Sequence, residues 1–274
     1  MSLLRHSLVA AFLYGVTSAA PAAQRLFPTD IVAVGETDVV LAFSFLSIKA
    51  GAKNATFDLE ETREAEHLRV RAGVAPNLHI GASLPYYSRD DIDAVLGNTR
   101  LNVSSDSGVR NIQGWATYRF AYDEGRGPAF TGRLVLDTNT GAAGDEGVEV
   151  ELAAGWQNLD TWQPYVIYTG AFRRDSDDRD VHTVSFGAYR ALNNTVTFVP
   201  GLYYLRYLST DSAGPQDQWV AHLGAQIQLG TSTFLLPELG YIRIGELDTK
   251  GIDLERGDGL LFSVGVYTLF GATY

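Results

Sequence analysis

Cysteine is absent from this chain of 274 residues, so no disulfide framework supports its fold. Long hydrophobic runs are missing as well. A membrane-spanning helix needs about 20 consecutive apolar residues, and the run at residues 8–16 covers about nine. If the chain enters a membrane, it must do so as a closed barrel, because only helices and closed barrels satisfy every backbone group in lipid. There is no Lys/Arg cluster, and the formal charge is -11. An acidic chain of this kind has no electrostatic footprint for nucleic acid. Gly-rich phosphate loops, amphipathic helices and metal-ligand spacings are lacking, and no cofactor is expected.

What the chain does contain begins with a leader. Arg5 and His6 precede the apolar run, and Ala20-Pro21-Ala22 fits a signal-peptidase site. Residues 1–22 are expected to be a signal peptide, cleaved before Ala23, and residues 23–274 a single domain. Loss of Arg5 with the leader takes the formal charge from -11 to -12.

The last stretch, residues 259–274, sets the theme of that domain. Leu260, Phe262, Val264, Val266, Thr268, Phe270, Ala272 and Tyr274 occupy every second position. Alternation of this length is a strand with one face in an apolar medium. A terminal aromatic after such a strand is the usual end of a bacterial outer-membrane barrel. Similar alternation marks residues 67–75, 78–86, 109–122, 148–158 and 217–229. Residues 38–49 are apolar on both faces, so their orientation is not readable from the pattern. About twelve strands result. From the second strand onward, short turns around Pro76, Gly125, Thr161, Asn194 and Thr231 alternate with long polar loops, including 88–108, 138–147, 174–180 and 246–258. A soluble β-sandwich has no physical reason to put every long loop at one end. The expected fold class is therefore all-β: a transmembrane antiparallel up-and-down β-barrel of about 12 strands. Its expected place is the bacterial outer membrane, with the long loops extracellular and both termini periplasmic.

With the apolar face toward lipid, the other face lines a lumen. Arg69, Arg71, Arg119, Arg133, Glu149, Glu151, Arg173, His222, Gln226, Gln228 and Glu238 are the candidates for a substrate path, with His67 beside them. Folding about residues 138–147 brings Arg133 near Glu151, and folding about Thr161 brings Glu149 near Arg173. Such pairs either hold a plugged barrel together or orient a polar solute crossing it. Three functions stay open: a passive pore or substrate-selective channel, a non-conducting barrel whose acidic loops bind a partner, and a membrane-embedded hydrolase. For the last, His182 near the outer rim, beside Asp178 and Asp180, is the one candidate, and no enzymatic activity is expected. The loop at residues 174–180 lacks the glycine and distal glutamate of an EF-hand. It reads better as a solvated acidic loop bridged to lipopolysaccharide by divalent ions. The expected partners are outer-membrane lipid and lipopolysaccharide, a small-molecule solute, and the barrel-assembly machinery, which would read Phe270 and Tyr274.

Three stretches resemble a known family. Ala75-Pro76-Asn77-Leu78-His79-Ile80-Gly81-Ala82-Ser83-Leu84-Pro85-Tyr86 is a turn and a strand ending in Leu-Pro-Tyr before a long loop. Residues 114–120 form a Gly…Tyr-Arg-Phe strand, and residues 134–141 run into Asp-Thr-Asn-Thr-Gly. They are similar to the outer-membrane barrels described as transporters of the meta-pathway of phenol degradation. The family's Gly-x-Gly-Asp before the fourth strand is replaced by Ser107-Gly108-Val109-Arg110, and its Pro-Thr-Gly-Asp at the end of the fifth is absent. The resemblance covers about half of the chain and implies uptake of small, including aromatic, compounds.

Overall fold

A computed structural model describes residues 27–51, 57–96, 99–104, 107–109, 111–122, 127–138, 146–157, 161–174, 179–210, 213–248 and 254–271. The expected signal peptide and Tyr274 lie outside the described residues. Among the described residues there is no helix. Fourteen strands run β1 Thr37–Gly51, β2 Phe57–Ala75, β3 Leu78–Leu96, β4 Thr99–Ser104, β5 Gly108–Val109, β6 Ile112–Ala121 and β7 Ala129–Thr138. They continue as β8 Gly147–Gly155, β9 Gln163–Arg173, β10 Val181–Ala191, β11 Val196–Tyr207, β12 Gln216–Gln228, β13 Thr233–Ile244 and β14 Gly257–Phe270.

Every pairing between the strands is antiparallel, and β1 pairs with both β2 and β14. With β2 also on β3, the wall closes into a barrel, beyond which only β4 stands as an edge. The wall has twelve strands, because β4 pairs only with the outer part of β3 and β5 continues the β6 side of the ladder on β3. Here the structure corrects the expected polar loop at 88–108. β3 runs on to Leu96 and folds back as β4. This part lies beyond the apolar band, so lipid imposes no alternation on it, and its Asp, Asn and Ser residues hid a regular hairpin. Pro85 offers no N–H, and the β3–β6 ladder stops at Ser83↔Gln113. It resumes as Tyr86↔Val109 on β5.

The tightest turn joins β2 to β3, where Asn77 takes the left-handed conformation with φ 65°, one that asparagine tolerates. Thr37, at the start of β1, pairs with Phe270 and with Ala72, so both ends of the barrel domain lie at the short-turn end.

Period-two burial divides each strand into an outer and an inner face. On β14, Leu260, Phe262 and Val266 are exposed, while Leu261, Ser263 and Tyr267 are buried. On β1 the ambiguity resolves: Val40, Ala42, Leu46 and Ile48 turn inward, and Leu41 is exposed on the outer face. Large exposed apolar residues on the outside form a band around the barrel, among them Leu68, Ile80, Leu134, Leu152, Leu223 and Leu239. Aromatics gather toward its borders. Phe120 stacks with Phe130 near the short turns, and Tyr204 packs on Trp219 toward the long loops, as in the girdles of membrane barrels.

The interior is not empty. At the long-loop end, inner-face residues such as Ile48, Leu205, Tyr207, Val220, Ile242 and Ile244 form an apolar core that Ala213, Leu247 and Leu254 complete from the connecting loops. Smaller apolar clusters occupy the short-turn end.

Candidate solute path inside the barrel

The inner face of β7–β9 carries a ladder of charge. Arg133 stands opposite Glu151 in register, and Arg173 opposite Gly147. Arg133 Nη2 lies 2.9 Å from Glu151 Oε2. Arg173 Nη1 reaches Asp137 Oδ2 at 2.8 Å, and its Nη2 lies 3.5 Å from Glu149 Oε1. Asp137 was not foreseen as a partner, although its odd position shares the inner face of β7 with Arg133. Arg133 also sits over the Trp115 ring, 5.9 Å from its centroid. The indole lies flat against β3 because Gly81 has no side chain there: a Cβ would come within 2.4 Å of Trp115 Cζ2.

The inner face of β2 presents Arg63, Arg69, Arg71 and His67 with Glu61. Arg71 is held by Asp38 of β1, Nη2 to Oδ2 at 2.5 Å, and Arg63 by Glu61 at 2.7 Å. Arg119 sits apart from these groups, at the short-turn rim. Its guanidinium donates to Asn77 Oδ1 at 3.1 and 2.9 Å and covers the Tyr122 ring at 4.5 Å.

His222, Gln226 and Gln228 share the inner face of β12, and Glu238 that of β13. His222 Nδ1 and Glu238 Oε1 are 3.1 Å apart, yet too poorly aligned for a hydrogen bond. The imidazole stacks on Tyr203 with centroids 4.5 Å apart. This diagonal pair was not anticipated from spacing, because the two residues are not directly opposite: His222 faces Gly240 and Glu238 faces Gly224.

His182, the candidate catalytic histidine, is on the outer face near the long loops. The Tyr168 hydroxyl lies 2.7 Å from its Nδ1, and it packs on Phe172. Asp180 instead accepts the Arg173 backbone N–H at 2.9 Å. Among the described residues of 174–180, Arg174 is exposed, but Arg179 is less solvated than expected. Arg179 is buried and donates to the carbonyls of Leu208 and Gly214 at 3.1 and 2.7 Å, which ties two long loops together. Burial lowers its pKa to about 10.

No sequence signal marked the last component. The segment from Phe27 to Glu36 crosses the short-turn mouth from β8–β10 to β2. Phe27 packs on Tyr165 and Tyr189. Val32 N–H donates to His79 Nδ1 at 3.4 Å, and Val34 bridges to Gly73. Two glycines seat this strap. A Cβ on Gly155 would come within 2.3 Å of the Phe27 ring, and one on Gly73 within 1.9 Å of the Ala33 carbonyl oxygen. Asp30 is held by Phe27 N–H at 2.9 Å and by the Gln157 amide. Burial pushes its carboxyl above the ordinary range, against the pull of the Phe27 N–H, Arg71, Gln157 and Arg119.

No family model matches the chain, and no curated protein matches it either. The resemblance to the phenol-pathway transporters therefore finds no matching family model. Solved structures do match. The COG4313 outer membrane channel from Pseudomonas putida F1 is 14% identical with a TM-score of 0.60, over 90% of this chain and 99% of that one. The KdgM porin in complex with disordered oligogalacturonate is 8% identical with a TM-score of 0.51, over 85% and 99%. The translocator domain of the autotransporter NalP from Neisseria meningitidis is 13% identical with a TM-score of 0.52, over 97% of each chain. The chain thus shares the fold of outer-membrane β-barrels.

Proposed function

We propose that the protein is a passive channel for small solutes in the bacterial outer membrane, with its long loops outside, both termini periplasmic and no catalytic activity. One observation carries this reading. Inside a closed barrel with an apolar outer band, the charged wall of Arg133, Glu149, Glu151 and Arg173 keeps contact with water. A barrel of this size could fill itself with apolar side chains if it only had to fold. The structural neighbour from Pseudomonas putida, itself described as a channel, supports the reading. Outer-membrane lipid and lipopolysaccharide would surround the apolar band. Phe270, exposed on the outer face of the closing strand, would be read by the assembly machinery together with Tyr274. Uptake of aromatic compounds, implied by the family resemblance, draws no support from the accessible inner wall, whose groups are charged.

A second reading, a non-conducting barrel, is favoured by the strap and by the apolar core at the long-loop end. Single-channel recording of the refolded protein separates the two. Discrete conductance steps are expected. A silent bilayer, together with proteoliposomes that do not swell in any small solute, would leave the non-conducting barrel.

A further inference from the structure

The inner-face charges differ in their contact with water. Side-chain exposure is 22% for Arg133, 14% for Glu149 and 10% for Glu151, but 2% for both His222 and Glu238. Water therefore reaches the charged groups of β7–β9 but not the His222–Glu238 pair, which packing closes off. The path is off-centre.

Its charges are also unevenly distributed. β7–β9 carry Asp137, Glu149 and Glu151 against Arg133 and Arg173, a surplus of one negative charge. β1 and β2 carry Arg63, Arg69 and Arg71 against Asp38 and Glu61, a surplus of one positive charge. Opposite surpluses on separate walls leave little net potential for an ion. Two groups on the acidic wall have capacity left. Arg133 is the most exposed of them, at 22% of its side chain, and Glu149 meets Arg173 only at 3.5 Å. Val135, not Arg133, is the register partner of Glu149, so Arg133 and Glu149 are diagonal neighbours, whose spacing is about 7–8 Å.

We propose that this off-centre path selects small zwitterionic solutes, with Arg133 taking the carboxylate end and Glu149 the ammonium end. The proposal rests on the channel reading and names its substrate class. Lying along this wall, such a solute is held weakly enough to pass, because each charge meets only one partner in a wet lumen.

The test uses the refolded protein in planar bilayers and in proteoliposomes. In a KCl gradient the wild type should show a reversal potential near zero. Glu149→Gln should shift permeability toward anions and Arg133→Gln toward cations, each by about fourfold, the Coulomb factor for one charge at roughly 5 Å in water. Opposite signs are the signature, since a residue that only braces the wall has no reason to produce them. Proteoliposomes should swell about threefold faster in 4-aminobutyrate than in the neutral polyol erythritol, a gain smaller than the single-charge factor, and Glu149→Gln should abolish the difference. Heat-modifiable migration on gels checks that each variant folds, and Arg173→Gln replaces Arg133→Gln if that variant does not. Strong wild-type ion selectivity, shifts of the same sign or no shift, or equal swelling in the two solutes would overturn the proposal while leaving a channel. A wild type without conductance removes the channel reading and this one with it.

Discussion

On the inner face of β11–β14 and β1, toward the long loops, Ile48, Leu205, Tyr207, Val220, Ile242 and Ile244 make an apolar core with loop residues. On β7–β9, equivalent inward positions hold Arg133, Asp137, Glu149, Glu151 and Arg173. Both sides have the same strand period and the same outer band. The difference lies in what closes over them: Leu247 and Leu254 descend onto the first side, while the second keeps water at Arg133, Glu149, Glu151 and Arg173. Inner-face chemistry is therefore set locally, by what covers each part of the wall, whereas outer-face chemistry is set by one medium all round.

The largest expected effect comes from exchanging the two chemistries. Leu205→Asp places an unpaired carboxylate in the apolar core and should prevent folding or lower stability by about 3–5 kcal/mol, read as loss of the heat-modifiable folded band in urea. Gly155→Val should cost less, about 1–3 kcal/mol for overpacking, because the strap lies outside the strand ladder and can leave its seat. Its readout is the conductance step, which should grow as the short-turn mouth clears. An unchanged step would mean that the strap does not limit the path. On the charged side, a double-mutant cycle of Arg133→Met and Glu151→Met should give a coupling of about 1 kcal/mol, since a water-contacting pair approaches the surface value rather than the buried one. A coupling as large as that of a buried pair would show that the wall is dry.

The smallest effect concerns pH. The Asp30 carboxyl is held above its ordinary value by burial, so the seated strap favours the protonated acid. Its docking is fully stabilised in acid, below the ordinary carboxylate pKa, and weakens as pH rises from there through the raised value. Protection of the amides of residues 27–36, measured relative to their intrinsic exchange rate at each pH, should fall over that window in the wild type and stay flat in Asp30→Asn.

The outer surface was legible in the sequence because lipid makes the same demand at every second residue, as Val148, Val150 and Leu152 show on β8. The pairs Arg133–Glu151 and Glu149–Arg173 were legible too, because a hairpin's loop length sets its register. Three features were not. The hairpin of β3 and β4 has no apolar medium to impose a pattern. The strap from Phe27 to Glu36 has no period and is held by partners far along the chain, such as His79, Gln157, Tyr165 and Tyr189. The pairing of His222 with Glu238 is diagonal and depends on the lean of two side chains.

Cysteine-free composition, alternation and the asymmetry of turns and loops by themselves determined a closed barrel with one apolar face. These are short-range properties, in which each residue answers to its neighbours and to the solvent. Only the tertiary structure decided which inward residues stay wet, because that depends on strands, loops and strap that meet across the barrel rather than along the chain.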